Sequence, residues 1–299
     1  MPLHLTQLDC GLLVEGVYNL SLEQTLDCGQ CFTFSECPTA DCLPEIEQTW
    51  RGISGQHLLT VSQRKDGTLL FHNTSRQTFE QVWKPFFDLD TDYAQIQAEL
   101  SRDDILKQAV LYAPGIRILR QNGWEALCCF IISQNNNIKR IKGIVERLCQ
   151  SFGQPLGEGC FSFPSPDALA GLSPEDLAVL RCGFRAKYLI DAARKVSLRE
   201  IDFENLGTLP LEQAKKELMK IYGVGPKVAD CALLYGFYRL ECCPTDVWMK
   251  RVFSALYPNG LPKCAENYIG IAQQYLFHYA RSCPQILEET PPQRQEAAV

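Results

Sequence analysis

The stretch Ile221-Tyr222-Gly223-Val224-Gly225-Pro226-Lys227-Val228-Ala229-Asp230-Cys231 decides how this chain is read. Upstream of it, Leu211 to Lys220 is rich in Leu, Lys, Glu and Ala and reads as a helix. Downstream, Val228 to Tyr238 is mostly apolar and reads as a second, buried helix. Between them Gly223 and Gly225 bracket one apolar residue, and Pro226 is placed to open the second helix. Glycines permit a turn tighter than Cβ atoms allow and let the backbone lie close against a ligand. The free N–H groups that begin the second helix then face that ligand, and the helix dipole favours an anion. A phosphate is the natural candidate, although a plain helix–turn–helix connection inside a core uses the same punctuation.

Working outward, Lys227 stands at the exit of the turn. A lysine there can be a solvated phosphate contact. The helix it roots on is nearly free of charge, however, and partial burial favours a neutral amine, which is a nucleophile. Further on, Cys243-Pro244-Thr245-Asp246-Val247-Trp248 leads into another apolar-periodic run. Asp246 is suited to cap that helix. A carboxylate held there could also steady positive charge developing on a sugar.

The chain has 299 residues, 46% hydrophobic and 21% charged, which suits a soluble globular protein with core enough for two domains. No apolar run is long enough to cross a bilayer, and the start lacks the pattern of a signal peptide. Fifteen cysteines, odd in number and without framework spacing, point to free thiols in a reducing, intracellular compartment. That is the cytoplasm or nucleoid of a bacterium, or the nucleus of a eukaryote. The net charge of −6 divides unevenly: residues 1–104 carry 6 Lys/Arg against 16 Asp/Glu, and residues 105–287 carry 22 against 16. The basic excess therefore sits with the glycine turn, a modest sign of nucleic acid.

Residues 1–104 read as an antiparallel β-sheet domain with flanking helices. Thr49–Ile53, His57–Ser62 and Thr68–His72 are β-prone, and Arg64-Lys65-Asp66-Gly67 is a turn joining the last two. Gln77–Asp88 and Asp92–Leu100 read as helices. Cys28-x-x-Cys31 could be a redox pair, but no βαβ pattern surrounds it. Residues 105–287 read as a helical domain. Trp124–Ser133 is one helix, ended by Gln134-Asn135-Asn136-Asn137, and Ile138–Phe152 is the next, with Ile138, Ile141, Ile144, Val145 and Leu148 inward. Ser165-Pro166 and Ser173-Pro174 are further helix starts, and Ile269–Ala280 is the last strong helix. Residues 288–299, with their prolines and glutamines, read as a disordered tail.

Three asparagines at a helix break make a capped surface loop, or a set of amides able to fill the gap left when a base leaves its stack. Arg140, about one turn later, offers a fork for the acceptor edge of an unpaired cytosine. Arg181-Cys182-Gly183-Phe184-Arg185-Ala186-Lys187 places an aromatic ring between basic residues. Cys231 lies four residues after Lys227, on the same helical face. Gln273 and Phe277 repeat that spacing, an amide to read a base edge and a ring to stack it, although each could be ordinary helix packing.

Arg117-Ile118-Leu119-Arg120-Gln121, Ser133-Gln134-Asn135-Asn136-Asn137-Ile138, Gly183-Phe184-Arg185-Ala186-Lys187-Tyr188, the hairpin through Cys231 and Asp246-Val247 occur together, in this order. In this the chain resembles the 8-oxoguanine DNA glycosylase/AP lyase family of the helix-hairpin-helix DNA glycosylases, from about residue 20 to residue 282. The resemblance implies that Lys227 attacks the sugar and Asp246 assists. It implies that Leu26–Phe34 is a pocket strand whose Gly29 carbonyl senses the N7 proton that 8-oxoguanine has and guanine lacks. Cys231 and Phe277 would sandwich the base and Gln273 would read it. Asn135 would be the wedge, Phe184 a second, aromatic wedge, and Arg140 and Arg185 the readers of the opposite cytosine. Gly223 and Gly225 would hold the DNA backbone, and the carbonyls of Met219, Ile221 and Val224 a structural monovalent or calcium-type cation.

Two departures stand out. Trp248 replaces the His of animal relatives, which puts one phosphate contact in doubt. With only Cys264 and Cys283 in the C-terminal region, the iron–sulfur loop of other branches cannot form. The sequence thus implies an α+β protein: an N-terminal antiparallel β-sheet domain packed on an all-helical helix-hairpin-helix domain. Its implied activity is excision of 8-oxoguanine opposite cytosine in double-stranded DNA, followed by strand cleavage. The enzyme would act as a monomer with no required cofactor. A glycosylase for another damaged purine and a non-catalytic DNA-binding module are the rival readings. The Gly29 segment with Gln273 and Phe277 speaks against the first, and the pairing of Lys227 with Asp246 against the second.

Overall fold

The computed structural model describes residues 3–38 and 44–288, so the expected tail lies, from residue 289 on, outside the described residues. Six strands form one antiparallel sheet: β1 (His4–Leu8), β2 (Gly11–Glu15), β3 (Phe34–Cys37), β4 (Ile46–Ser54), β5 (His57–Arg64) and β6 (Leu69–His72). Their order across the sheet is β1-β2-β6-β5-β4-β3. The Arg64–Gly67 turn does join β5 to β6. Gly67 N donates to the Arg64 carbonyl at 2.9 Å, and Asp66 Oδ1 accepts from Thr68 N at 3.0 Å. Gly67 sits at φ +85, which glycine adopts without strain.

Period-2 patterning turns Leu12, Val14, Leu59, Val61, Leu69 and Phe71 to one face of the sheet, where they are buried. Phe79, Trp83, Phe86 and Phe87 cover that face, with the Phe71 and Phe79 rings edge to face at 4.9 Å. These rings come from the Arg76–Phe86 helical run and the Phe87 that caps it; the run widens into a π turn over Phe79–Trp83. The wide turn stands just before Pro85, which has no N–H to return to an earlier carbonyl.

The rest of the described chain is mainly helical. Asn122 caps Gly123–Ser133, a helix buried almost all round, and Asn137 caps the amphipathic Ile138–Phe152. Arg185–Ser197, Leu211–Leu218, Pro226–Phe237, Val247–Leu256 and Ile269–Ser282 follow. Two readings need correction. Leu26–Phe34 is no strand: Ser21 caps a short helix, Leu22–Leu26, and Gly29 at φ +91 breaks any extended run before β3 begins at Phe34. Ser173-Pro174 opens only a 3₁₀ turn, Asp176–Leu180. Ser173 and Asp176 bond to each other there, and Arg181 in the left-handed region ends the turn.

Sheet and helices are joined through Asp88, which is buried. Its Oδ1 accepts from Arg120 Nε and Nη2 at 2.9 and 2.7 Å, and its Oδ2 accepts from the Tyr93 and Tyr238 hydroxyls. Arg117, also buried, donates to the carbonyls of Tyr18, Asn19 and Asp88. The Arg117–Gln121 segment is thus a seam between the two halves.

Candidate active site

Pro226 begins its helix with Gly225 at the capping position, and Gly225 brings no side-chain acceptor. The first amide to bond back is Ala229 N, to the Gly225 carbonyl at 3.0 Å. The N–H groups of Lys227 and Val228 are therefore available to an anion, as the sequence suggested. Gly223 sits at φ +80 with the Tyr188 ring so close that a Cβ would fall 2.5 Å from its carbons. The Arg185–Ser197 helix braces this turn from below. Asp191 Oδ2 accepts from Tyr222 N at 2.7 Å, and Lys195 Nζ donates to Asp191 Oδ2 and to the Lys220 carbonyl. Lys215 bridges to Asp230 at 2.9 Å and locks the two hairpin helices together. Asp191 and Lys195 were not singled out from the sequence; their i, i+4 spacing was the available signal.

A small cavity of about 40 Å³ opens beside the hairpin. Gly29, Lys227, Cys231, Asp246, Gln273 and Phe277 line it together, six residues drawn from four separate segments. Phe130, Tyr235 and Pro244 complete the lining; Phe130 and Tyr235 sit in apolar helices that read as plain core, and Pro244 belongs to the run that leads into Asp246. Lys227 is half-buried, with Nζ 5.2 Å from the centre of the Phe130 ring. Phe130 is in turn stacked on Tyr235 at 5.2 Å. Asp246 caps Val247–Leu256 by accepting from Met249 N at 2.9 Å. Burial pushes the Cys231 thiol up to about 11, and the neighbouring Lys227 works against that rise. Cys231 is thus an uncharged, apolar wall.

Gln273 is buried, and among the described residues its Oε1 has no hydrogen-bond partner. An orphaned buried acceptor is costly, and in a cavity wall it marks a place where a ligand can donate. Phe277 leans over Gly29, and the Arg281 guanidinium lies 5.5 Å from the Phe277 ring centre. A larger cleft, about 550 Å³, lies between the β3–β4 edge and the Ile138–Phe152 helix, but it contains none of these six residues.

The remaining named residues gather on an exposed patch. Asn135 is exposed and left-handed at φ 48. Arg140 is exposed, its Nη2 reaching 3.5 Å toward the Arg181 carbonyl, and Phe184 is exposed, its ring against the Arg185 guanidinium. Arg185 differs: it is buried, and its guanidinium donates to the carbonyls of Gln134, Asn135 and Cys182. In this structure it holds the asparagine loop. Ile138 links patch and cavity, since its side chain also packs near Gly29. Trp248 is half-buried, with the Arg251 guanidinium 4.9 Å from its ring.

Cys28 and Cys31 are free and buried. Burial pushes Cys28 up to about 12 and raises Cys31 as well, the opposite of a reactive redox pair. Every described cysteine is a free thiol, and no described helix is long and apolar enough to cross a membrane. Among the described residues no cluster of three His, Cys, Asp or Glu could hold a metal.

Comparison with known proteins agrees with this geometry. Residues 12–127 match the family of the 8-oxoguanine DNA glycosylase N-terminal domain, and residues 128–266 the HhH-GPD superfamily of base excision DNA repair proteins. The structure of MBOgg1 in complex with a low-affinity DNA ligand is 39% identical, with a TM-score of 0.86 over 94% of this chain and 99% of that one. The Clostridium acetobutylicum 8-oxoguanine glycosylase/lyase, in complex with double-stranded DNA containing cytosine opposite 8-oxoguanine, is 34% identical, with a TM-score of 0.83 over 93% of this chain and 98% of that one. The probable N-glycosylase/DNA lyase of Methanothermobacter thermautotrophicus is 28% identical over 241 residues, 70% of this chain and 75% of that protein. On both family matches, and on likeness to solved 8-oxoguanine glycosylase/lyase structures along nearly its whole length, the chain belongs to the 8-oxoguanine DNA glycosylase family of the HhH-GPD superfamily, DNA glycosylases with AP lyase activity.

Proposed function

We propose that this enzyme excises 8-oxoguanine paired with cytosine from double-stranded DNA and then cleaves the strand through a Schiff base on Lys227. The observation that carries the reading is the cavity itself. It sets a half-buried amine, a capping carboxylate and a buried, unpartnered glutamine oxygen around Gly29. Lys227 Nζ attacks C1′ as the C1′–N9 bond breaks, and the base leaves with the bonding pair. Asp246 stabilises the positive charge spread over the sugar ring. Opening of the ring gives the Schiff base. Loss of a C2′ proton then expels the 3′ phosphate, which is the lyase step.

In the base pocket, the Gly29 carbonyl accepts from N7–H of the lesion, Gln273 reads the base edge, and Cys231 and Phe277 lie on either face. A void of about 40 Å³ holds about one water. Base entry therefore needs Phe277 to swing off Gly29. Asn135 and Phe184 fill the gap left in the duplex, and Arg140 reads the estranged cytosine. Arg185 joins it once its loop carbonyls release it. Gly223, Gly225 and the free amides beyond them hold a phosphate. Enzymes of this family need no cofactor. The carbonyls of Met219, Ile221 and Val224 are hard oxygen donors that suit a monovalent or calcium-type cation. Such an ion would add positive charge beside the bound phosphate.

The test is borohydride trapping on a duplex bearing one 8-oxoguanine opposite cytosine. Wild type should form a covalent complex. Lys227→Gln should form none and release no base, while binding the duplex almost as well, since one charge is a small part of the total. Trapping at the wild-type level in Lys227→Gln would refute the assignment.

A further inference from the structure

The turn that carries Gly29 is gripped on both sides by glutamine side chains. Gln274 is buried, and its Nε2 donates to the Cys28 carbonyl at 3.2 Å, while its Oε1 accepts from the Tyr235 hydroxyl. Gln121 Nε2 donates to the Gln30 carbonyl at 2.8 Å. Gln30 itself is buried, with its amide donating to the carbonyls of Thr25 and Arg117 and accepting from Leu119 N. The carbonyls before and after Gly29 are thus both spoken for. No hydrogen bond reaches the Gly29 carbonyl among the described residues.

We infer that Gln274 is a positioning residue for lesion selectivity: it clamps the peptide before Gly29 so that the Gly29 carbonyl, left without a partner, faces the base. This rests on the proposed function and names a residue that does not touch the base. Gln273 and Gln274 are neighbours on one helix and point about 100° apart. One faces the cavity and the other faces the turn behind it. Glycine at φ +91 has wide conformational freedom, so its carbonyl direction has to be set by the groups around it. Selectivity through a polar contact needs that direction held within a fraction of an ångström, and a displacement of about 1 Å can cost on the order of a hundredfold in rate.

Two reactions separate the positioning role from a merely structural one. Excision of 8-oxoguanine needs the base pocket; cleavage at a preformed abasic site needs the amine and no base. Gln274→Met, of similar volume, should slow single-turnover excision about 10–100-fold while abasic-site cleavage stays within about threefold. Gln274→Glu is the second variant, nearly isosteric. Ionised, it has no hydrogen for the Cys28 carbonyl; protonated, it has one. Its excision, relative to wild type, should therefore recover as pH is lowered. Excision at the wild-type rate in Gln274→Met, or in Gln274→Glu at every pH, overturns the inference. So does a parallel fall in both reactions, or a loss in Gln274→Glu that no pH restores. A wild type that leaves 8-oxoguanine in place would instead overturn the proposed function, which keeps the two failures distinct.

Discussion

At the scale of single residues, the sharpest demand falls on Gly29, because undamaged guanine is everywhere in DNA. The lesion carries a hydrogen at N7 where guanine carries a lone pair. An acceptor facing N7 gains a bond with one and meets repulsion from the other. In the proposed reading Gly29 supplies that acceptor; its φ is +91, and Phe277 and Arg281 are packed so closely that a Cβ would stand 3.4 and 3.3 Å from them. Gly29→Ala should therefore cost about 1–2 kcal/mol in backbone strain and also displace the stacking ring. Excision of 8-oxoguanine should fall steeply, and the affinity for a lesion duplex should approach that for the matching undamaged duplex. Equal excision by wild type and Gly29→Ala would place the sensor elsewhere. The glycine could be read from the sequence only through a family resemblance, which also implied a strand over Leu26–Phe34 that the structure does not form. The turn depends on bonds from Gln121 and Gln274, remote in sequence, which no local pattern announces.

At the scale of elements, the hairpin separates its two glycines by different physics. Gly223 needs a left-handed backbone and carries the Tyr188 ring at a distance no Cβ tolerates. Gly225 has an ordinary φ of −101 and open space where a Cβ would go. Gly223→Ala should lower the melting temperature, with left-handed strain and overpacking each contributing about 1–3 kcal/mol. Gly225→Ala, unstrained and with open space for its methyl group, should cost no more than about 1 kcal/mol, the loss of swapping glycine for alanine at a helix cap. It should nevertheless bind duplex DNA more weakly, because its methyl group stands where a phosphate would approach. Equal melting of both variants would contradict this division, and so would wild-type DNA binding by Gly225→Ala. Helix phase, caps and the β5–β6 turn were legible at this scale because each is set by residues within about one turn. The π turn before Pro85 and the 3₁₀ turn after Ser173 were not, since both pit competing local preferences against each other.

At the scale of the whole molecule, sheet and helices meet at groups whose character depends on being buried together. Glu125, on the Gly123–Ser133 helix, accepts from Gly55 N in the β4–β5 turn. Burial pushes its carboxyl from 4.5 up to about 8, and the Gly55 N–H only partly opposes this. The surrounding Cys128, Cys129 and Cys149 thiols are raised too far by burial to titrate in that range. Because the folded state holds the proton more tightly than the unfolded one, stability is favoured at low pH and falls as pH rises from about 4.5 through about 8. Glu125→Gln should therefore melt higher than wild type at pH 8–9 and lose that advantage by pH 5. A difference in melting temperature that stays constant over this range would rule out the titration. The sequence by itself determined the hairpin, the helical periodicity, the β-rich start and the order of the chemistry-bearing residues, because these follow from local spacing and residue type. Only the tertiary structure decided that Lys227, Asp246, Gln273 and Gly29 share one cavity, that Gln273 is left with an orphaned oxygen, and that Arg185 and Gln274 serve backbone carbonyls. Burial and hydrogen-bond satisfaction belong to the packed whole, where segments more than two hundred residues apart in the chain compete for the same donors and the same space.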